Sequence, residues 1–303
     1  MTPNLFTRIG PISINNPTIL ASGILGISIN VFNRIYESGA GAVVTKSISV
    51  LPSDGYDGPN MFSIGDQGWL NAIGLSNPGV DNFSKILKQN KKIPIVVSLV
   101  GSNEHDFVNM IQKLRNMQIL AYEINLSCPH VEKVGLDVGD DPDLVYRIIK
   151  NIDSITEVPI IAKVGLGSTN YLDTVRAACD GGADAITAIN TLRAMSIDIE
   201  TMRPILGNKI GGLSGKPIKT IAVRCVYEIS SKYDIPIIGC GGISSWQDAI
   251  EFILAGASAV QIGSIINYKW LKIFSDINDG IIKYMSKKKI YSIGEMVGIS
   301  KRF

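Results

Sequence analysis

Polar side chains that could bind a ligand or do chemistry follow several short apolar runs of the sequence. They are Lys46, Asn125, Ser127, Cys128, Lys163, Asn190 and Thr191. A lysine that directly follows a buried run is costly without a counter-charge, because burial penalises its charged form. The two lysines therefore predict an anionic ligand at the place where these runs end.

Small residues follow two further apolar runs, nearer the end of the chain. Gly241 and Gly242 follow one run, and Gly263 and Ser264 follow the next. Such loops offer bare backbone N–H groups to a phosphate. Glycines here would equally serve tight turns with no ligand, since a few glycines are a weak signal. The presence of both sites, after the last two predicted strands, favours phosphate binding.

The apolar runs are short, continuous and rich in β-branched residues, as is typical of parallel strands buried on both faces. Eight are predicted, near residues 18–21, 42–46, 95–99, 121–125, 160–163, 185–188, 237–239 and 259–262. Helical patterns lie between most of them, at 104–116, 142–152, 171–179, 216–232 and 245–254. This alternation predicts an α/β fold, a (β/α)8 TIM barrel with its active site at the C-terminal mouth of the strands.

Two connections are longer than a barrel requires, from residue 47 to about 82 and from 190 to 215. Long loops at the C-terminal ends of strands are where barrels place their chemistry. The 303 residues contain no linker and no low-complexity tract. We therefore predict a single domain that spans residues 1–303.

Composition argues against several classes of protein. The formal net charge is only +2, and the one basic run, at 287–289, is typical of a solvated helix end, so no nucleic-acid partner is predicted. None of the four cysteines has C-x-x-C, zinc or iron–sulfur spacing, so no metal is predicted. We expect a cytoplasmic protein without a membrane partner, because no signal peptide and no apolar stretch of about 18 residues is present.

Seven short motifs, spread over nearly the whole chain, carry a family resemblance. They are Ala21-Ser22-Gly23, Thr45-Lys46-Ser47, residues 70–79 (LNAIGLSNPG), residues 125–129 (NLSCP), residues 189–192 (INTL), residues 211–215 (GGLSG) and residues 239–243 (GCGGI). Together they resemble the dihydroorotate dehydrogenases, and the segment 189–215 resembles class 1B rather than class 1A.

The resemblance implies one FMN per chain at the barrel mouth. The matching positions are Ala21, Ser22, Gly23, Lys46, Ser47, Asn125, Lys163, Ile189, Ser214, Gly215, Gly241, Gly242, Gly263 and Ser264. In such an enzyme the flavin carries the hydride, and the protein supplies position and electrostatics. Lys163 suits this arrangement because it can stabilise negative charge on a reduced flavin.

The resemblance also implies oxidation of (S)-dihydroorotate to orotate in pyrimidine synthesis. The positions that match the substrate site are Lys46, Asn71, Ile73, Gly74, Leu75, Asn125, Asn190 and Thr191. Asparagine amides offer both a donor and an acceptor to the ring amides of such a substrate. Lys46 would supply positive charge for the substrate carboxylate or the flavin edge.

By the same resemblance, Cys128 is the catalytic base. The reaction removes a proton from C5 and moves a hydride from C6 to the flavin, and a thiol with an ordinary pKa of about 8.5 can be tuned to accept that proton. A free cysteine is more often an inert buried side chain, which is the prediction for Cys179, Cys225 and Cys240. A third possibility is a non-catalytic flavin- or phosphate-binding barrel that serves as an interaction scaffold. Such a scaffold would need no base beside a group of amides, so Cys128 together with the asparagines counts against it.

One position departs from the class 1 pattern. His130 stands where these enzymes usually have Asn, two residues after the base. Dihydropyrimidine dehydrogenases also carry His there, although they continue with a Gly-Met-rich stretch that differs from residues 131–135 (VEKVG). A dihydropyrimidine dehydrogenase-like flavoenzyme acting on uracil or thymine is therefore the alternative.

The route of the electrons beyond the flavin is inferred from the resemblance alone. The chain has no second Gly-rich dinucleotide motif and no cysteine cluster. Class 1B implies a homodimer joined to an electron-transfer subunit, in a heterotetramer where the partner carries FAD and a [2Fe–2S] cluster and reduces NAD⁺. The alternative is a stand-alone enzyme that reduces fumarate, as in class 1A.

Overall fold

A closed parallel barrel forms the centre of the computed structural model, which describes residues 2–90, 92–127, 137–167 and 170–303. Its strands are β1 (Thr18–Leu20), β2 (Ala42–Val44), β3 (Ile95–Leu99), β4 (Ala121–Asn125), β5 (Ile160–Val164), β6 (Ala185–Ala188), β7 (Ile237–Cys240) and β8 (Ala257–Ile262). Each pairs in parallel with the next, and β8 pairs with β1. The predicted barrel is confirmed, with strand ends within two residues of those predicted.

Helices surround the barrel and follow the strands in turn. They are α1 (Ile29–Glu37), α2 (Gly79–Leu87), α3 (Glu104–Leu114), α4 (Pro142–Asp153), α5 (Tyr171–Gly181), α6 (Lys219–Lys232), α7 (Trp246–Ala255), α8 (Ile266–Lys269) and α9 (Lys272–Lys288). Their apolar residues recur at helical spacing: α3 buries Phe107, Met110, Ile111 and Leu114. Helix α3 begins where the Asn103 side chain accepts a hydrogen bond from the backbone N–H of Asp106.

The interior of the barrel is apolar near the N-terminal ends of the strands. Alternate strand residues, among them Val44, Val96 and Ile161, form one buried cluster there. An N-terminal hairpin (Thr7–Ile9 and Ile12–Ile14) adds Ile9, Ile12 and Ile14 to the same cluster. This hairpin therefore closes one end of the barrel with apolar side chains, and it keeps apolar surface away from water.

Towards the C-terminal ends of the strands the buried side chains become polar. Ser98, Glu123, Lys163, Thr187 and Gln261 are each at most 5% exposed. Buried polar groups need hydrogen-bond partners, and several of these find them in one another across the barrel. We call these five residues the polar layer, and it forms the floor of the open end of the barrel.

The two long connections pair with each other in a second sheet that sequence patterns did not predict. Met61–Gly65 and Gly68–Asn71 follow β2, and Leu192–Met195 and Ile210–Gly215 follow β6. These four strands form an antiparallel sheet, here called the mouth sheet, and a small hairpin (Ile197–Asp198 and Arg203–Pro204) adjoins it in the chain. The pairing of Asn71 with Gly212 joins residues far apart in sequence, which explains why no local pattern indicated it.

No helix in the described part of the chain combines the length and the apolar character needed to cross a lipid bilayer.

Candidate active site

A cavity of about 580 Å³ lies at the C-terminal end of the barrel, where the mouth sheet also contributes to its lining. All predicted site residues that fall in the described ranges line it. They are Ala21, Ser22, Gly23, Lys46, Ser47, Asn71, Ile73, Gly74, Leu75, Asn125, Lys163, Ile189, Asn190, Thr191, Ser214, Gly215, Gly241, Gly242, Gly263 and Ser264. Cys128 and His130 lie outside the described residues.

The closed ring explains why residues so distant in sequence meet. In a parallel barrel all strands run in the same direction, so the residues that follow their C-terminal ends converge. The mouth sheet then brings Asn71 and Ser214 to the same cavity from two different connections. The structure thus groups these side chains, while their individual roles stay predictions.

Hydrogen bonds link the amides on the β4 and β6 side of the cavity into a chain. Asn125 donates from Nδ2 to Ser47 Oγ at 3.2 Å, and its Oδ1 accepts from Asn190 Nδ2 at 3.1 Å. The same Oδ1 accepts from the Ser127 backbone N–H at 3.2 Å. An Asn side chain has two N–H donors, so within the described residues Asn125 and Asn190 each have one donor that no protein group accepts.

Asn71 reaches the cavity from the mouth sheet. Its Nδ2 donates to the Gly212 carbonyl oxygen at 3.1 Å, which fixes the amide, and no described residue donates to its Oδ1. The adjoining turn at Gly74 requires glycine. Gly74 has a φ of +72°, and a Cβ there would lie 2.4 Å from the Tyr56 backbone nitrogen.

The two lysines of the cavity have different electrostatic environments. Lys46 is half-buried, and burial lowers the pKa of its ammonium below the ordinary value. Among the described residues no carboxylate lies within ion-pair distance of it. A partly desolvated cation without a counter-ion favours binding of an anion.

Lys163, in contrast, is paired inside the barrel. Its Nζ lies 3.5 Å from Glu123 Oε1 and donates to Gln261 Oε1 at 3.2 Å. Burial is the strongest single influence and acts to lower the pKa of Lys163, but Glu123 and, to a smaller extent, Cys240 raise it, and together they hold the pKa above its ordinary value. Cys240 is the other titratable group that acts on Lys163, and burial raises the pKa of that thiol.

Glycine loops form another part of the lining, where side chains would not fit. A Cβ on Gly242 would lie 2.8 Å from the Gly215 carbonyl oxygen, and one on Gly215 would lie 2.1 Å from the Gln67 carbonyl oxygen. Both glycines have positive φ, at +74° and +87°. These loops contact each other through backbone, which leaves peptide groups near the cavity, as is typical of phosphate sites.

Sequence reasoning missed Glu123, Gln261 and Arg193. Gln261 and Arg193 line the cavity, and Glu123 lies fully buried behind Lys163. A signal for Glu123 was present, because a charged residue in the middle of an apolar strand is rarely buried unless it is paired. Arg193 follows Thr191 in a long connection, and nothing local indicated which way that segment would fold.

Among the residues that the structure describes, no group of three or more His, Cys, Asp or Glu side chains is placed to hold a metal ion.

Comparison with known proteins identifies the family. The family described as Dihydroorotate dehydrogenase matches residues 4–285. The chain is 44% identical over 292 residues to "Dihydroorotate dehydrogenase B (NAD(+)), catalytic subunit" of Pyrococcus furiosus. The aligned residues make up 96% of this chain and 97% of that protein. Proteins of the same name from Methanocella arvoryzae and Methanothermobacter thermautotrophicus are each 42% identical, over 97% and 98% of this chain and 96% and 98% of their own lengths. The chain therefore belongs to the dihydroorotate dehydrogenase family.

Proposed function

We propose that this protein oxidises (S)-dihydroorotate to orotate with a bound FMN, and that a partner subunit passes the electrons to NAD⁺. One observation carries the proposal: a lysine without a counter-ion among the described residues, three asparagine amides and a set of glycine loops line a single cavity. The relatives named above are catalytic subunits of NAD⁺-linked dihydroorotate dehydrogenases, and the match extends over nearly their whole lengths, which supports the same substrate here.

The residues of the cavity fit a flavin mononucleotide. The loops at Gly215, Gly242 and Gly263 would hold its phosphate through backbone N–H groups. Gly23 lines the cavity with a φ of +85°, and a Cβ there would meet no protein atom within 4 Å, so a side chain would enter space that a cofactor needs. The volume of about 580 Å³ lies in the usual range for such sites. Bound FMN would supply the hydride acceptor.

The polar side chains suit a planar amide ring that carries a carboxylate. Among the described residues, Asn125 and Asn190 each have an N–H donor without a protein acceptor and Asn71 has an Oδ1 without a protein donor, and these groups complement ring C=O and N–H groups. Lys46 has no counter-ion among the described residues, so it would bind the carboxylate. Uracil and thymine lack that carboxylate, and Lys46 therefore favours dihydroorotate over the alternative substrates.

The protein would remove the C5 proton with Cys128. This residue follows Asn125 by three positions, just beyond the C-terminal end of β4. Ser127, which precedes it in the sequence, lines the cavity. The proposed assembly is a cytoplasmic homodimer that joins the electron-transfer subunit, with its FAD and [2Fe–2S] cluster, in a heterotetramer.

The first prediction concerns the cofactor. Gly263→Ala should fold normally, because the new Cβ would lie 3.6 Å or more from every protein atom, yet it should crowd a ligand in the cavity. Overpacking costs about 1–3 kcal/mol, so FMN should bind roughly 5- to 150-fold more weakly. Flavin content and a fluorescence titration measure this. The control is Gly294→Ala, where a Cβ likewise has room among the protein atoms but which is not part of the cavity lining. Equal FMN affinity in both variants, or FAD in place of FMN, would contradict the cofactor proposal.

The second prediction concerns the base. Cys128→Ala should retain flavin but slow its anaerobic reduction by dihydroorotate about 10²- to 10⁴-fold, the usual contribution of a general base. The wild-type rate should rise with pH towards the ordinary thiol pKa of about 8.5 as the thiolate forms. Cys179→Ala is the control, because burial raises the pKa of that thiol to about 11 and it lies on α5, outside the cavity lining. A Cys128→Ala rate equal to that of wild type would remove Cys128 from the mechanism.

The third prediction concerns substrate recognition. Lys46→Met should weaken orotate binding by about 1.5–3 kcal/mol, the value of a hydrogen bond to a charged group, or roughly 10- to 150-fold. Weak binding of uracil should change little, because uracil offers no carboxylate. Perturbation of the flavin spectrum measures both ligands, and Lys85→Met on the exposed face of α2 is the control. Faster turnover of dihydrouracil than of dihydroorotate would move the assignment to the alternative.

The fourth prediction concerns the electron acceptor. The chain alone, kept anaerobic with dihydroorotate, should reduce an artificial dye but neither NAD⁺ nor fumarate at a comparable rate. Addition of the electron-transfer subunit should restore NAD⁺ reduction, since only that subunit would carry the nicotinamide site. Efficient NAD⁺ or fumarate reduction by the chain alone would overturn the partner proposal while leaving the dehydrogenase assignment intact.

A further inference from the structure

Glu123 is a fully buried carboxylate to which the proposed reaction gives no role. It lies on β4 inside the barrel and is 0% exposed. Its Oε2 accepts a hydrogen bond from Thr187 Oγ1 at 3.0 Å and another from Gln261 Nε2. Its Oε1 accepts none from a described residue and lies 3.5 Å from Lys163 Nζ. Among the described residues, the ion pair that this oxygen makes is with the Lys163 ammonium.

Gln261 provides a second link between Glu123 and Lys163, through hydrogen bonds to both. Its side-chain oxygen accepts from Lys163 Nζ at 3.2 Å, while its side-chain nitrogen donates to the Glu123 carboxylate. Lys163 and Gln261 line the cavity, whereas Glu123 does not. Glu123 is therefore linked to the cavity lining through Lys163 and Gln261.

Stability alone is a poor reason for this arrangement. Removing two charges from water costs several kcal/mol per ion, and well-packed apolar residues often replace a buried ion pair without loss of stability. The pair does have a consequence for charge. A buried lysine without a counter-ion loses its proton readily, because desolvation disfavours the ammonium by up to 3–5 pKa units. Without Glu123, burial would therefore favour the neutral amine of Lys163 over its ammonium.

We propose that Glu123 is a positioning residue, which keeps the Lys163 ammonium charged and fixed at the floor of the cavity beside the proposed cofactor. Its effect on catalysis rests on the proposed function, since a fixed cation there stabilises the negative charge of a reduced flavin. Its effect on the charge of Lys163 rests only on the geometry of the polar layer.

The other groups around Lys163 do not provide this charge. Thr187 and Gln261 are neutral, and the buried Cys240 thiol has a raised pKa, which keeps it protonated. Lys46 lines the same cavity from the end of β2, and a like charge disfavours a second cation. Glu123 on β4 is thus the counter-ion of Lys163 within the described residues.

The test follows the Lys163 ammonium by NMR in ¹⁵N-lysine-labelled full-length protein as purified, whether or not it carries flavin. In the wild type Lys163 should stay charged to pH 9 or above. In Glu123→Gln, which keeps the shape but removes the charge, Lys163 should lose its proton at a pH at least one unit lower. Glu123→Asp keeps a carboxylate and should retain the charge over a wider pH range than Glu123→Gln.

Two control variants separate charge from packing. Thr187→Val removes a hydrogen-bond donor to the same carboxylate, and Cys240→Ala removes the other titratable neighbour. Both should leave Lys163 charged over the wild-type range. A third variant, Lys163→Met, identifies the resonance by its disappearance.

Catalysis supplies a readout that a merely structural role would not change. Wild-type flavin reduction by dihydroorotate should rise with pH as the base loses its proton. In Glu123→Gln the rate should instead fall once the pH passes the lowered pKa of Lys163, because the cation is lost as pH rises. The pH profile should therefore become bell-shaped, whereas a packing defect would lower the rate equally at every pH.

Each outcome bears on the proposal. A wild-type Lys163 that loses its proton below pH 8 would overturn it without any variant, and so would equal titration in wild type and Glu123→Gln. If Glu123→Gln does not fold, the wild-type titration and Glu123→Asp decide the matter. Absence of flavin from every preparation would refute the proposed function, yet the titration would still test the role of Glu123.

Discussion

The closed hydrogen-bonded ring of eight parallel strands is the constraint on which the rest of this structure depends. Because the ring is closed, each strand is hydrogen-bonded to a neighbouring strand on both sides, and the interior is just wide enough for side chains. Each interior position must therefore be packed or hydrogen-bonded. The N-terminal half meets this condition with an apolar cluster that Ile9, Ile12 and Ile14 complete. The C-terminal half meets it with the polar layer, whose groups bond across the barrel.

The polar layer also explains why the two lysines of the cavity have different electrostatic environments. Lys163 lies within the ring, where Glu123 and Gln261 compensate and hold its charge. Lys46 lies at the end of β2 above that layer, half-buried and without a counter-ion among the described residues. The first cation is positioned by the protein before any ligand arrives. The second cation has no such partner among the described residues, which favours binding of an anionic ligand. In the proposed oxidation, one cavity would thus bind both a flavin and a substrate carboxylate.

The mouth sheet contributes part of the cavity lining. It joins connections that leave β2 and β6, so Asn71 and Ser214 approach a site whose floor is formed by other strands. Close contact between backbones makes glycine necessary at Gly74, Gly215 and Gly242, since a Cβ at any of them would lie within 3 Å of a backbone atom. The peptide groups of these loops suit a phosphate, and the asparagine amides of the same cavity suit a planar ring.

The sequence by itself determined the barrel strands and the end at which the chemistry lies. Continuous β-branched runs indicate buried parallel strands, and the polar residues that follow them must converge once the ring closes. Tertiary structure decided the mouth sheet, the hairpin that closes the barrel, and the pairing of Lys163 with Glu123 and Gln261. Each of these depends on contacts between residues distant in sequence, such as Glu123 with Gln261, 138 positions apart. Local sequence patterns predict the type of a single helix or strand from its periodicity. Which residue becomes a counter-ion or which strand becomes a partner depends instead on how the whole chain folds in three dimensions.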